Sequence, residues 1–232
     1  MSSACHTSVK SAAEDGAMQI PASPARQQTA TEEIANSISH GTGFLVAAAA
    51  LPALLQLKPG ADLWQQAALS AFALTMMLMF ASSALFHGLP EGRAKALFER
   101  LDRAAIYLFI AGSYSAFAAP ALQGSQALIM LGLVWALACL GVLITCMGWV
   151  TQPLLSTGLY VVIGWLVLLS AMPWIAQISA PALNLLLAGG AAYTVGAVIF
   201  LLSSKLRFAH LAWHLLVMLG SGLHLAANLL PA

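Results

Sequence analysis

The chain has 232 residues, of which 60% are hydrophobic and only 7% charged, where an ordinary soluble domain carries roughly 25% charged residues. That composition is one of a membrane protein. Nine Lys and Arg against eight Asp and Glu leave a net charge of +1, so there is no overall attraction to nucleic acid and the basic residues matter by position instead. The three cysteines, Cys5, Cys139 and Cys146, are too few for a disulfide framework, and the last two fall in an apolar run where a thiol behaves as a small hydrophobe.

Residues 1–30 are rich in Ser, Ala and Gln with scattered charges and the breakers Gly16, Pro21 and Pro24, a composition that cannot bury enough apolar surface to fold alone. The expectation is a disordered tail, on the cytoplasmic side, followed by one membrane domain over residues 31–232. No apolar stretch of secretory-signal type occurs before residue 43. Thr29-Ala-Thr-Glu32 reads as a capping box, so a short polar helix through Glu33, Asn36 and Ile38 is expected to lead into the first span.

A spanning helix needs about 20 mostly apolar residues. From residue 39 the chain supplies seven such segments, at 39–57, 66–87, 103–120, 126–148, 155–175, 182–203 and 208–230. The breaks are Lys58-Pro59-Gly60, the charged stretch Glu91 to Arg100, Gln123-Gly124, Gln152-Pro153, Pro181, and Lys205 to Arg207. The fold class is therefore an all-α integral membrane protein, a seven-transmembrane helix bundle with its termini on opposite faces. Lys10, Arg26, Arg93, Lys95, Arg100, Arg103, Lys205 and Arg207 all fall on the side of the N-terminus, and only Lys58 on the other. Since basic residues collect on the cytoplasmic side, the N-terminus is expected to be cytoplasmic and the C-terminus outside. That is the inverse of the G-protein-coupled receptors.

Ionisable groups inside spans are costly and mark function by default. His87 closes span 2, Asp102 opens span 3, and His210 and His214 lie in the first turns of span 7. Because span 2 runs inward while spans 3 and 7 run outward, these ends share one depth near the cytoplasmic face. His210-Leu-Ala-Trp-His214 puts two imidazoles on one helical face, the spacing that gives two nitrogens to one metal. His87 adds a third, and three protein ligands with one open position is the pattern of catalytic zinc. Asp102 is then placed to hold a water and Ser83, one turn before His87, to orient an imidazole or a substrate carbonyl. Taken singly, each histidine reads better as a helix-end cap or a neighbour's hydrogen-bond partner than as a ligand; the common depth is what points to a metal.

These same residues carry a resemblance. Glu33-Ile-Ala-Asn36-Ser-Ile-Ser-His40-Gly-Thr-Gly43, Ser83-Ala-Leu-Phe-His87, Leu101-Asp102-Arg103-Ala-Ala-Ile-Tyr107 with Ala111-Gly112-Ser113-Tyr114, and His210-Leu-Ala-Trp-His214 with His224 resemble the hemolysin III family. That family is the bacterial branch of the progestin and adipoQ receptor superfamily, and the likeness runs from about Glu32 to the C-terminus. The resemblance implies an intramembrane zinc ion on His87, His210 and His214, with Asp102 and Ser83 as catalytic residues beside it. A three-histidine zinc ion at the depth of the inner leaflet suits a zinc-dependent hydrolase of lipid-like amides or esters, a reading that the ceramide-hydrolysing members of the superfamily support indirectly; the expected location is the bacterial inner membrane. The alternative is a non-enzymatic sensor or membrane-homeostasis factor in which zinc is structural; a lytic pore is disfavoured because no row of polar residues lines any span from end to end. One departure is Arg103, where many bacterial relatives carry His. The expected partners are a lipid-like small molecule and the membrane, with no nucleic acid.

Three smaller expectations complete the reading. Glu33, Asn36 and His40 follow one helical face and are expected to clamp the bundle rather than to catalyse. His224 lies ten residues beyond His214, about 15 Å further along the helix, too far for the same metal, and is expected to be a buried hydrogen-bonded imidazole. Trp64, Trp149 and Trp174 read as interfacial anchors, Met76, Met77 and Met79 as packing, and Gly189, Gly190 and Gly196 as points of close helix approach.

Overall fold

The computed structural model describes residues 26–58, 60–121, 125–150, 152–170 and 177–230. Among them lie seven α-helices and no strand: α1 (Ala30–Leu57), α2 (Leu63–Gly88), α3 (Arg93–Ala121), α4 (Ser125–Cys146), α5 (Pro153–Ser170), α6 (Ala180–Leu201) and α7 (Ala209–Leu229). Five of them, α1, α2, α4, α6 and α7, are long and apolar enough to cross a membrane, and helices satisfy their own backbone polar groups, as hydrocarbon requires. The tail expected over residues 1–30 and the anchor Trp174 fall largely or wholly outside the described residues.

Two boundaries differ from the expected ones. The polar helix and the first span are one continuous helix, α1, whose Thr29 and Glu32 form the expected capping box. The charged stretch between spans 2 and 3 is helical from Arg93 on and forms the first turns of α3, where Glu99 and Arg103 pair across one helical turn, while Glu91, in the turn just ahead of the helix, pairs with Lys95. Such i,i+4 pairs support helix that apolar periodicity does not mark.

The outside of the bundle is apolar, as a lipid environment demands: on α4, Leu128, Leu133, Leu137, Leu140 and Leu143 are exposed, while Val134 and Ala138 of the same helix are buried. The largest core joins α1, α2 and α3 through Leu54, Phe72, Met76, Phe80 and Phe109. Close approach of α2 and α3 depends on Gly112, where a Cβ would collide with Thr75 and lie 2.9 Å from the Ala71 carbonyl oxygen. Met76 and Met79 pack in this core, and Trp64 and Trp149 are exposed, as expected. Cys139 and Cys146 are free thiols.

The helix ends sort into two groups. Arg26, the start of α1, the α2–α3 turn and the α6–α7 turn are joined by hydrogen bonds at one end of the bundle. At the other end Lys58 donates to the carbonyl oxygen of Leu230, beside the C-terminus. The lone basic residue of the first loop therefore does lie opposite the other described ones.

Candidate metal centre

The last turn of α2 carries Ser83 and His87, and the first two turns of α7 carry His210 and His214. α2 packs antiparallel and α7 parallel to α1, which brings the three imidazoles together, with one nitrogen from each lying within 4.8 Å of the others. His87 Nε2 and His210 Nε2 are 3.2 Å apart. A tetrahedral metal with nitrogens at about 2.0–2.1 Å separates its ligands by about 3.4 Å, so the spacing suits one ion.

What prepares these rings is α1. The Glu33 carboxylate accepts from His87 Nδ1 at 3.2 Å, and Lys95 of α3 donates to the same oxygen at 3.1 Å. His214 Nδ1 lies 3.3 Å from the Asn36 carbonyl oxygen and 3.2 Å from Ser39 Oγ. A carboxylate and a carbonyl only accept, so both Nδ1 atoms carry the proton and both Nε2 atoms keep a lone pair. Lone pairs on converging Nε2 atoms, with the far nitrogens hydrogen-bonded, are what a metal site needs from its second shell. His40 stacks on His214 with ring centroids 3.6 Å apart, and Phe80 meets its edge. Glu33, the Asn36 backbone and His40, expected to clamp the bundle, thus all contact imidazoles of the cluster.

A cavity of about 230 Å³ opens beside the histidines, between α3, α5, α6 and α7. His210, His214, Ser83, Asp102 and Arg103 share its wall with apolar side chains such as Phe109, Phe117 and Trp213. Ser83 is buried, and its Oγ has no hydrogen-bond partner among the described residues. Arg103, the departure from the family pattern, pairs with Glu99 at 3.4 Å, and its carbonyl oxygen accepts from the Tyr160 hydroxyl.

His224 lines the same cavity but belongs to another arrangement. Its Nδ1 is 2.8 Å from Ser113 Oγ and its Nε2 is 3.3 Å from the Leu186 carbonyl oxygen. It fits because Gly189 of α6 has no side chain to obstruct it, and Gly196 in the same way makes room for Trp213.

Several contributors escape a reading of the sequence. Lys95 and Ser39 touch groups that hold the ligands, and Glu32 does more than cap its own helix: it also accepts from the backbone N–H of Phe208, just ahead of α7. The only sequence signal for Glu32 is the capping box.

A family model described as "Haemolysin-III related" matches residues 28–225, almost the whole of the described bundle. The chain belongs to the haemolysin-III family. Among its haemolysin-III relatives, a "Hemolysin-3 homolog" of Bacillus subtilis (strain 168) is 36% identical over 194 residues, covering 83% of this chain and 91% of its own length. "Hemolysin-3" of Bacillus cereus is 36% identical over 200 residues, covering 84% and 90%. "Monocyte to macrophage differentiation factor" of Homo sapiens is 25% identical over 211 residues, covering 89% and 87%, which extends the likeness to the progestin and adipoQ receptor superfamily. No solved structure matches the chain.

Proposed function

We propose that this haemolysin-III protein is a zinc-dependent hydrolase of lipid-like amides or esters, with His87, His210 and His214 holding the ion. The observation that carries the reading is the cavity: its wall carries His210, His214, Ser83 and Asp102 and continues along aromatic and aliphatic side chains. That lining suits an amphiphile whose polar head lies at the histidines and whose chain lies against Phe109, Phe117 and Trp213. Zinc when bound would supply Lewis acidity toward a carbonyl and lower the pKa of a water to about 7. The protein's own residues do the rest. Asp102 takes a proton at its carboxylate as general base and passes it to the leaving group, while the unpartnered Ser83 hydroxyl donates to the carbonyl oxygen. The apolar wall excludes bulk water from the reacting head.

The choice of zinc rests on the donor set: three neutral imidazoles with one open position is the arrangement of catalytic zinc sites. The competing reading, zinc as a clasp between α2 and α7, is favoured by the fact that the three ligands bridge those two helices. Asp102→Asn separates the two, because it keeps size and removes the base. A hydrolase loses product formation, screened across extracted lipids, by about 10²–10⁴-fold while keeping its metal. Unchanged cellular function in Asp102→Asn contradicts the enzymatic reading.

We also propose the bacterial inner membrane, with the histidine end facing the cytoplasm, because the described basic residues gather there. Single cysteines placed between Arg93 and Arg100 should resist a membrane-impermeant maleimide in intact cells; strong labelling reverses the orientation.

A further inference from the structure

The Glu32 side chain is 2% exposed and uses its two oxygens for different helices. Oε2 accepts from the backbone N–H and hydroxyl of Thr29, both at 2.9 Å, and from Arg26 Nη1 at 2.8 Å, which closes the N-terminus of α1. Oε1 accepts from Arg26 Nη2 at 2.7 Å and from the backbone N–H of Phe208 at 2.8 Å. Phe208 is the residue from which α7 springs. It has φ 58° and ψ 6°, a left-handed conformation uncommon for a bulky residue, and no side chain of its own caps α7.

Arg26 adds two more ties to the same turn: its Nη2 donates to the Leu206 carbonyl oxygen at 3.1 Å and its backbone N–H to Ser204 at 3.3 Å. The stretch from Ser204 to Phe208 is thus fastened at three points to Arg26 and Glu32, around the start of α1. His210 follows Phe208 by two residues and His214 one helical turn later. Each residue of slip at the start of α7 turns its side chains by about 100° and shifts them about 1.5 Å.

We propose that Glu32 is a positioning residue of the three-histidine centre: by holding the Phe208 N–H it fixes where α7 begins, and hence the direction in which His210 and His214 present their nitrogens. Glu33, the next residue, orients His87 through its ring Nδ1. Two consecutive carboxylates of α1 therefore govern all three ligands, one through a side chain and one through a helix end. Glu32 touches none of the ligands, so its influence passes wholly through the Ser204 to Phe208 turn.

This inference rests on the three histidines holding a metal, and its test uses Co²⁺ as the probe, added to the full-length metal-free protein in detergent. Dissociation constants from chelator competition, the visible absorption of bound Co²⁺ and the melting temperature of the metal-free form are measured for wild type, Arg26→Ala, Glu32→Gln and Glu32→Ala. Affinity should fall in that order, with Glu32→Ala at least tenfold weaker and its Co²⁺ spectrum altered. Glu32→Gln, which keeps an oxygen for Phe208 N–H, should recover several-fold. A purely structural Glu32 would lower the melting temperature and leave affinity and spectrum unchanged, and that result overturns the proposal. If Glu32→Ala does not fold, Glu32→Met, which fills the space but leaves the Phe208 N–H without its acceptor, takes its place, and wild-type affinity and spectrum in that variant overturn the proposal equally. Failure of the wild type to bind Co²⁺ refutes the metal reading itself, an outcome distinct from equal binding by all four proteins.

Discussion

His214 and His224 stand on the same helix and on the wall of one cavity, the first buried and the second half-buried, yet their nitrogens are used differently. His224 has both nitrogens engaged within the bundle, by Ser113 and by the Leu186 carbonyl oxygen. His214 has only Nδ1 engaged, by α1, and its Nε2 has no partner among the described residues. A buried imidazole with both ends satisfied is a piece of packing; one fastened at a single end and facing two others is a ligand in waiting. The difference in burial is not what gives them their roles. The partner of the second nitrogen does.

Two substitutions sharpen that contrast. Glu33→Gln removes the carboxylate behind His87 while keeping a hydrogen-bonding side chain. Loss of such an outer partner lowers metal affinity by about 10–100-fold, which chelator competition would register; unchanged affinity would show that Lys95 and Glu33 only pair with each other. The smaller effect is expected at His224→Ala, which takes from Ser113 Oγ its imidazole partner and leaves the Leu186 carbonyl oxygen only its bond within α6. The cost is about 1–2 kcal/mol of stability, read by unfolding in detergent, with metal content at the wild-type level. Metal loss in that variant would merge the two classes of histidine.

Much of this was legible in the sequence because it repeats at helical spacing. The seven apolar segments, the turn from Ser83 to His87 and the turn from His210 to His214 can each be read locally, and so can the capping box at Thr29 and Glu32. Charge marked Glu91 to Arg100 as a break between spans but not its local structure: from Arg93 it is already the beginning of α3, supported by the Glu99–Arg103 pair. The support of the site was not legible for a different reason. Glu32 and Phe208 are 176 residues apart, and Glu33 and Lys95 are 62 apart. Bonds of that kind leave no period in the sequence, and only the packing of α1 between α2 and α7 reveals them. His40 followed the expected face, but its stacking on His214 depends on that same packing.

The central claim is that His87, His210 and His214 form one metal centre and His224 stands outside it. Elemental analysis of purified wild type, the His210→Ala and His214→Ala double variant and His224→Ala tests it directly. One ion per chain is expected in the wild type and in His224→Ala, and none in the double variant, since a single remaining imidazole cannot hold an ion in a site built for three. Metal retained after loss of both His210 and His214, or lost with His224, would contradict it.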